Sequence, residues 1–194
     1  MSFLEFVNFL CGSLFRNEKI LIYCMSLKDL DSEQGMRHSV PINKGMISDL
    51  ESARKKLEKV PWEFKCDLYD GVQDFFTYKE NGEIGHISWL YYEGDPNRIL
   101  RLGDGEGEVK FCLTFPEHRG KGLYPAALQV IQGYLKEHGY RRCYICVKDD
   151  NVPSIRGIEK AGYRLAGSVR VRKVFGVQTS RRRDTRFLRD SEDI

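Results

Sequence analysis

The stretch with the most capacity for chemistry runs from Thr114 to Tyr124 and reads Thr-Phe-Pro-Glu-His-Arg-Gly-Lys-Gly-Leu-Tyr. Its order is that of a strand end, a glycine-bearing turn and a helix start. Free N–H groups at a helix amino terminus converge on one point and the helix dipole adds positive potential there. Glycines at 120 and 122 let an anion such as a pyrophosphate approach without a Cβ in the way. Arg119 and Lys121 bring cationic side chains to the same place. A Gly-Lys-Gly turn can equally be plain backbone relief. The reading therefore leans on a second group one strand downstream, Asn151-Val152-Pro153-Ser154 followed by Glu159-Lys160-Ala161-Gly162-Tyr163. Asn151 suits either the amide of a ligand or the cap of a helix.

The flanking sequence predicts the elements that would position these groups. A strand spans about Glu108 to Phe115, and Pro116 ends it. A helix follows over about Lys121 to His138, with Pro125 tolerated in its first turn, Leu128, Ile131 and Leu135 on one face, and Gly139 closing it. A strand at Arg142 to Val147, a helix at Pro153 to Ala161 closed by Gly162, and a strand at Tyr163 to Val174 complete a β-α-β-α-β order. Upstream, Val72 to Lys79 and Glu83 to Tyr92 flank Asn81-Gly82 and predict a tight hairpin. Apolar residues at three-and-four spacing predict a helix over Phe3 to Phe15, followed by a strand at Ile20 to Leu27. A long loop over Lys28 to Asn43 and a helix at Met46 to Lys59, stopped by Pro61, come next. With no linker or repeat, residues 1–194 are expected to form one α/β domain with a mixed sheet. Its motif-bearing core spans about 72–175, and a polar, charged tail covers 180–194.

Taken together, the two groups resemble the GNAT acetyltransferase superfamily. That family's first motif is Arg or Gln, two residues, Gly, one residue, then Gly or Ala; Arg119, Gly122 and Tyr124 occupy those places, Tyr124 as a departure. The second motif, an Asn opening a helix that ends in Glu-Lys-x-Gly-aromatic, is matched by Asn151 and by Glu159 to Tyr163. The match covers Glu108 to Tyr163, whereas residues 1–71 resemble no family. The resemblance implies a single-domain GNAT fold with a mixed, mostly antiparallel central sheet flanked by helices and strands splayed at a coenzyme A site. It also implies acetyl-CoA as co-substrate and direct transfer of the acetyl group to a primary amine. Cys112, Leu113 and Thr114 would then offer main-chain groups to the pantetheine arm. Arg119, Gly120, Lys121, Gly122, Leu123 and Tyr124 would hold the pyrophosphate, Asn151 would reach the pantetheine amide, and Ser154 would be a small residue near the cofactor.

Attack on a thioester requires the amine neutral, and lysine-like amines have pKa values of roughly 10, so a base is needed. The resemblance places a carboxylate on the strand before the turn, which makes Glu108 the expected catalytic base. Period two puts Glu108, Lys110, Cys112 and Thr114 on one face of that strand. Asp104, Glu106 and His86 are alternatives, with His86 expected to share a face with Ile84 and Ser88. The family's usual acid, a tyrosine, falls at Ile158, which cannot donate a proton; Tyr124, Tyr163 or water would take over. A non-catalytic acyl-CoA-binding module is the alternative.

A formal net charge of +3 among many charges of both signs argues against an obligate polyanion binder. Arg181-Arg182-Arg183 is interrupted and followed by acidic residues, so no nucleic-acid partner is expected, while a homodimer is compatible with the sequence. Neither amino-terminal apolar stretch approaches the roughly 20 residues needed to span a bilayer, so no membrane partner is expected. Six cysteines spread through predicted helices and strands fit free thiols in a reducing, cytoplasmic setting. Cys143 and Cys146 lie at an odd spacing on one strand and face opposite ways, so no metal is expected.

Overall fold

Runs rich in aromatic and branched side chains flank a two-residue turn between Glu80 and Glu83. At the tip of the hairpin, Asn81 (φ 53°) and Gly82 (φ 79°) both adopt the left-handed conformation that a type I′ turn demands. A computed structural model describes residues 15–28, 30, 40–97, 99–174 and 177–184. The helix expected at Phe3 to Phe15 lies outside the described residues except for Phe15, which begins a strand; Cys11 and residues 185–194 also lie outside them.

The strands are β1 (Phe15–Ser26), β2 (Ile42–Lys44), β3 (Phe75–Glu80), β4 (Glu83–Tyr91), β5 (Glu106–Thr114), β6 (Arg142–Lys148), β7 (Arg164–Val174) and β8 (Val177–Asp184). The helices are α1 (Ile47–Lys56), α2 (Cys66–Asp70), α3 (Leu123–Glu137) and α4 (Val152–Lys160). One sheet runs in the order β2-β3-β4-β5-β6-β1-β7-β8. Every pairing is antiparallel except β5 with β6, which the α3 crossover makes parallel. The mixed, mostly antiparallel sheet flanked by helices is thus as expected.

Three upstream and terminal expectations are corrected. β2 occupies residues placed in a loop, because its three residues complete the edge beside β3 and carry too little pattern to be read alone. Between α1 and β3 the chain adds a 3-10 turn, Trp62–Phe64, and the short α2. The polar tail does not begin at residue 180: Val177–Asp184 folds back on β7 as β8. Charged residues are well tolerated on an edge strand, so their density says little against one.

The sheet is covered on both sides. On one face Leu128, Ile131 and Leu135 of α3 and Ile158 of α4 pack on Leu90, Val109 and Ile145. On the other, Leu50 of α1 and Phe64 of the 3-10 turn pack on Phe75, Ile87 and Trp89. Trp89 and Tyr91 are fully buried, so they serve packing rather than a pocket. At nine residues α4 is too short to persist alone, and burial of Ile158 together with the Asn151 cap holds it in place. Cys143 and Cys146 face opposite sides of β6, in separate clusters. Among the described residues the cysteines are free, no group of side chains could hold a metal ion, and no helix is long and apolar enough to cross a membrane.

Candidate functional site

β5 and β6 are hydrogen-bonded only at their start, from Glu106 opposite Arg142 to Val109 opposite Ile145. Beyond Val109 they part, and among the described residues β5 from Lys110 to Thr114 keeps only its β4 neighbour. Main-chain groups on the β6 side of that segment lose their sheet partner, a costly condition unless another chain or a ligand supplies one.

The parting strand is also bulged. Phe111 has φ 47°, and the β4–β5 register shifts between Ile87 and Trp89. A bulge inserts one residue and so reverses the alternation after it. Val109 and Cys112 therefore pack on the α3/α4 side, while Phe111 and Leu113 pack on the α1/α2 side. The expectation that Glu108 shares a face with Cys112 and Thr114 is overturned: the bulge puts them on opposite faces. A second bulge, between Ile84 and His86, likewise sends Ile84 into the α1/α2 core, so His86 shares a face with Ser88 but not with Ile84.

After β5, Pro116–His118 forms a 3-10 turn, and Gly120 (φ 78°) and Gly122 (φ 71°) take left-handed conformations with open space around both. No side chain caps α3. Among the described residues the N–H groups of Gly120, Lys121, Gly122, Leu123 and Tyr124 have no backbone partner. They bound a cleft of about 660 Å³ lined by Cys112, Leu113, Thr114, Arg119, Gly120, Gly122, Leu123, Tyr124, Asn151 and Ser154. Ten of the residues expected at a cofactor site thus meet at one opening. Lys121 is exposed at its lip, with its ammonium 3.4 Å from both Glu80 and His118. Arg119 braces the strand end, its Nε donating to Thr114 O at 3.2 Å. Asn151 Oδ1 accepts from Ser154 N at 3.3 Å, so it caps α4 and leaves its amide nitrogen for the cleft.

Sequence reasoning missed Gly157, and its signal was readable. Tyr124 stands where a small residue is usual, and its ring needs room between α3 and α4. A Cβ on Gly157 would lie 2.6 Å from Tyr124 Cδ1, so the missing side chain on α4 is what admits the ring. The Tyr124 hydroxyl bonds Cys112, which also bonds Ser88, and burial pushes the Cys112 thiol up to about 12 and Tyr124 above its ordinary range. His86 closes this chain, with Nδ1 2.7 Å from Thr114 Oγ1 and Nε2 2.8 Å from Ser88 Oγ. Burial lowers its pKa to about 4. Neutral, enclosed and engaged at both nitrogens, it holds two hydroxyls in place and is a poor base.

Glu108 lies on the other face, 1% exposed, where the strands begin to part. Asn97 Nδ2 donates to its carboxylate, and Cys146 is a second partner. Burial raises its pKa, moderated first by the charge of Lys110 and then by those two hydrogen bonds. Asn97, unanticipated, is aimed by its own Oδ1, which accepts from Ile99 N and Leu100 N at 3.2 Å. None of the three carboxylates lines the cleft; of the alternatives, Glu106 is occupied by Gly103 N at 2.9 Å and Tyr144 OH at 3.0 Å, and Asp104 is exposed in a turn. Tyr163 is buried and donates to Cys143 Sγ at 3.1 Å, and Ile158 is wholly enclosed, so of the expected proton donors only Tyr124 reaches the cleft.

Residues 27–164 match the model of the Acetyltransferase (GNAT) domain. Solved structures with the same architecture include a GNAT-family acetyltransferase from Colwellia psychrerythraea (TM-score 0.59, 15% identity, covering 83% of this chain and 57% of that one). A putative GNAT-family acetyltransferase from Novosphingobium aromaticivorans gives a TM-score of 0.52 at 18% identity, covering 79% of this chain and 62% of that one. A GCN5-related glucosamine N-acetyltransferase region of a fungal multi-domain GH3 beta-N-acetylglucosaminidase gives 0.61 at 14% identity, covering 87% of this chain and 22% of that one. At such identities the likeness is one of fold. This chain spans less than two thirds of the length of each of these three structures. No curated protein matches the sequence.

Proposed function

Because the chain belongs to the GNAT acetyltransferase family, we propose that it transfers an acetyl group from acetyl-CoA directly to a primary amine. One observation supports this above the rest: the unpartnered N–H groups of residues 120–124 are continuous, through one cleft, with the unpaired edge of β5. In this reading the diphosphate of acetyl-CoA rests on those N–H groups, with Arg119 and Lys121 supplying countercharge. The pantetheine arm follows Thr114, Leu113 and Cys112 as an added strand would, and the Asn151 amide nitrogen and Ser154 meet it from α4.

An arm laid this way ends where β5 and β6 part, and Glu108 lies one residue before Val109, the last paired residue of β5, on the opposite face of the strand. The amine nitrogen attacks the thioester carbonyl, the carbon–sulfur bond breaks, the acetyl group passes to nitrogen, and the coenzyme A thiolate leaves by taking up the second proton that the nitrogen sheds. Glu108 accepts the proton that the ammonium must lose, directly or through water. Its pKa, raised by burial, brings it nearer the range in which a carboxylate is an effective base. A cytoplasmic location belongs to the same proposal and is supported by the free thiols.

A non-catalytic acyl-CoA-binding module is the second reading, favoured by one observation: Ile158 stands buried where the family's tyrosine acid would be. Incubation with acetyl-CoA and a panel of primary amines, following released thiol, separates the two. Acceptor-dependent thiol release supports transfer; retention of acetyl-CoA with no release for any amine supports the module.

A further inference from the structure

On the α3/α4 side of β5, the place of the family's acid is held by a side chain that cannot serve, because Ile158 is apolar and wholly enclosed. One residue earlier, α4 is thinned instead. Gly157 faces the ring of Tyr124, and a Cβ there would lie 2.6 Å from Cδ1 and 3.1 Å from Cε1. Glycine in the middle of a helix weakens it, so this gap is not a neutral feature of so short an element. The Tyr124 ring enters it from α3, with the His86 ring centroid 6.1 Å from its own. Held between α3, α4 and β4, the ring is half-buried and lines the cleft.

Its hydroxyl meets the sulfur of Cys112, and the neighbours fix the direction of that bond. The Cys112 thiol points its own hydrogen at Lys110 O, 3.7 Å away, so the Tyr124 and Ser88 hydroxyls both act as donors to its lone pairs. Ser88, its hydrogen given to Cys112, must accept from His86 Nε2 at 2.8 Å, which leaves Nδ1 to accept from Thr114 Oγ1 at 2.7 Å. A neutral thiol is a weak acceptor, whereas hydrogen bonds to an ion are roughly twice as strong as neutral ones. An anionic sulfur brought into the cleft would therefore draw the Tyr124 hydroxyl away, and Cys112 would keep Ser88. Cys112 is also the far end of the stretch along which the acetyl-transfer reading lays the pantetheine arm. The hydroxyl thus stands at the sulfur end of that arm and not among the N–H groups of residues 120–124.

We propose that Tyr124 is the acid of the reaction: its hydroxyl, brought from α3 through the gap at Gly157, pairs with the cofactor sulfur and protonates it as it leaves. The inference rests on the acetyl-transfer reading for the step, whereas the pairing with sulfur requires only that coenzyme A bind. As the carbon–sulfur bond breaks, its electron pair stays on sulfur, and the Tyr124 proton passes to that pair to give the free thiol. The phenolate recovers the second proton that the nitrogen sheds. Amide, thiol and neutral tyrosine remain, and the one net proton is that taken by Glu108. Burial keeps the hydroxyl protonated well beyond neutral pH, so it is ready as a donor and no phenolate persists. Base and acid then work from opposite faces of β5.

Tyr124→Phe in the full chain keeps the ring against Gly157 and removes only the hydroxyl, so calorimetry should show coenzyme A bound as tightly as by the wild type. The thiol of bound coenzyme A is titrated through the ultraviolet absorbance of its thiolate, against the same protein holding desulfo-coenzyme A. A donor on sulfur favours the thiolate, so losing it should lower the thiol's ionisation constant about tenfold. With acetyl-CoA and a primary amine that the wild type acetylates, kcat should fall by on the order of 10² while KM for acetyl-CoA holds. Gly157→Ala, which keeps the hydroxyl but displaces the ring, should move both readouts the same way by less, and it carries the test where Tyr124→Phe does not fold. Thiol ionisation equal in the wild type and the variants overturns the pairing, even where kcat falls, since the tyrosine is then merely structural. A kcat for Tyr124→Phe within about twofold of the wild type overturns the acid and leaves the transfer reading intact. If the wild type acetylates no amine yet its bound thiol ionises more readily than in Tyr124→Phe, the transfer reading fails and the pairing with sulfur stands. No binding of coenzyme A overturns both.

Discussion

The two faces of β5 are made of different materials. Toward α3 and α4, the site offers mostly backbone: among the described residues, five N–H groups without backbone partners, two left-handed glycines and a strand edge without a neighbour. Toward α1 and α2, it offers side chains, a buried carboxylate held by Asn97 and an exposed aromatic stack. The bulge at Phe111 divides them. A main-chain site tolerates changes of side chain but not changes of conformation, whereas a side-chain site can be retuned by one substitution. The contrast suggests one side built for a constant ligand and the other for a particular one.

The contrast can be broken most forcefully at Glu108. Glu108→Gln should lower the rate of transfer by on the order of 10²–10⁴, the usual contribution of a positioned base, with coenzyme A affinity unchanged by calorimetry. Because burial raises its folded pKa, ionised Glu108 opposes folding as pH rises through that pKa, so the variant should unfold at the same or a higher temperature at pH 7. A loss of affinity equal to the loss of rate would erase the division of labour between the faces.

On the backbone side, Gly122→Asp puts a side chain on a residue at φ 71° and a negative charge where a diphosphate would rest. Coenzyme A affinity should fall by roughly 100-fold or more, about 3 kcal/mol. Calorimetry alongside circular dichroism distinguishes this from unfolding.

His86 gives the opposite pH trend to Glu108. Its folded pKa is depressed to about 4 from 6.5, so the unfolded chain takes up its proton first. The stability it contributes is complete above pH 6.5 and is lost as pH falls toward 4, a change on the order of 3 kcal/mol. Urea titrations across that window should show the decline, and His86→Gln should flatten it.

The smallest effect concerns Gly157. In an open helix Gly→Ala gains up to about 1 kcal/mol. Here the added methyl meets Tyr124 Cδ1 at 2.6 Å, so Gly157→Ala should instead cost about 1–3 kcal/mol in thermal or chemical unfolding. Adding Tyr124→Ala should relieve most of the clash, which a double-mutant cycle would register as coupling.

What was legible in the residues follows the same division. Glycines, prolines and an Asn cap mark backbone geometry, so the hairpin at Asn81-Gly82, the turn at Gly120 to Gly122 and the start of α4 at Asn151 could all be placed. The bulge at Phe111 could not, because nothing there departs from an ordinary strand pattern, whereas Gly85, an isolated glycine inside a strand, marked the other bulge and was passed over; with them went the faces of Glu108 and His86. Trp62 and Tyr69 lie seven residues apart on irregular chain, and no periodicity relates them before the 3-10 turn and α2 bring them together. Asn97 was hidden likewise, in a loop whose partner is eleven residues away.

The central claim is that the amide hydrogens of residues 120–124 and the free edge of β5 together hold coenzyme A. Crystals of the full chain grown with coenzyme A test it directly. The account predicts diphosphate oxygens within hydrogen-bonding distance of those five N–H groups and the pantetheine arm paired along Cys112 to Thr114. A nucleotide lodged elsewhere, with the turn at Gly120 to Tyr124 bare, would contradict it.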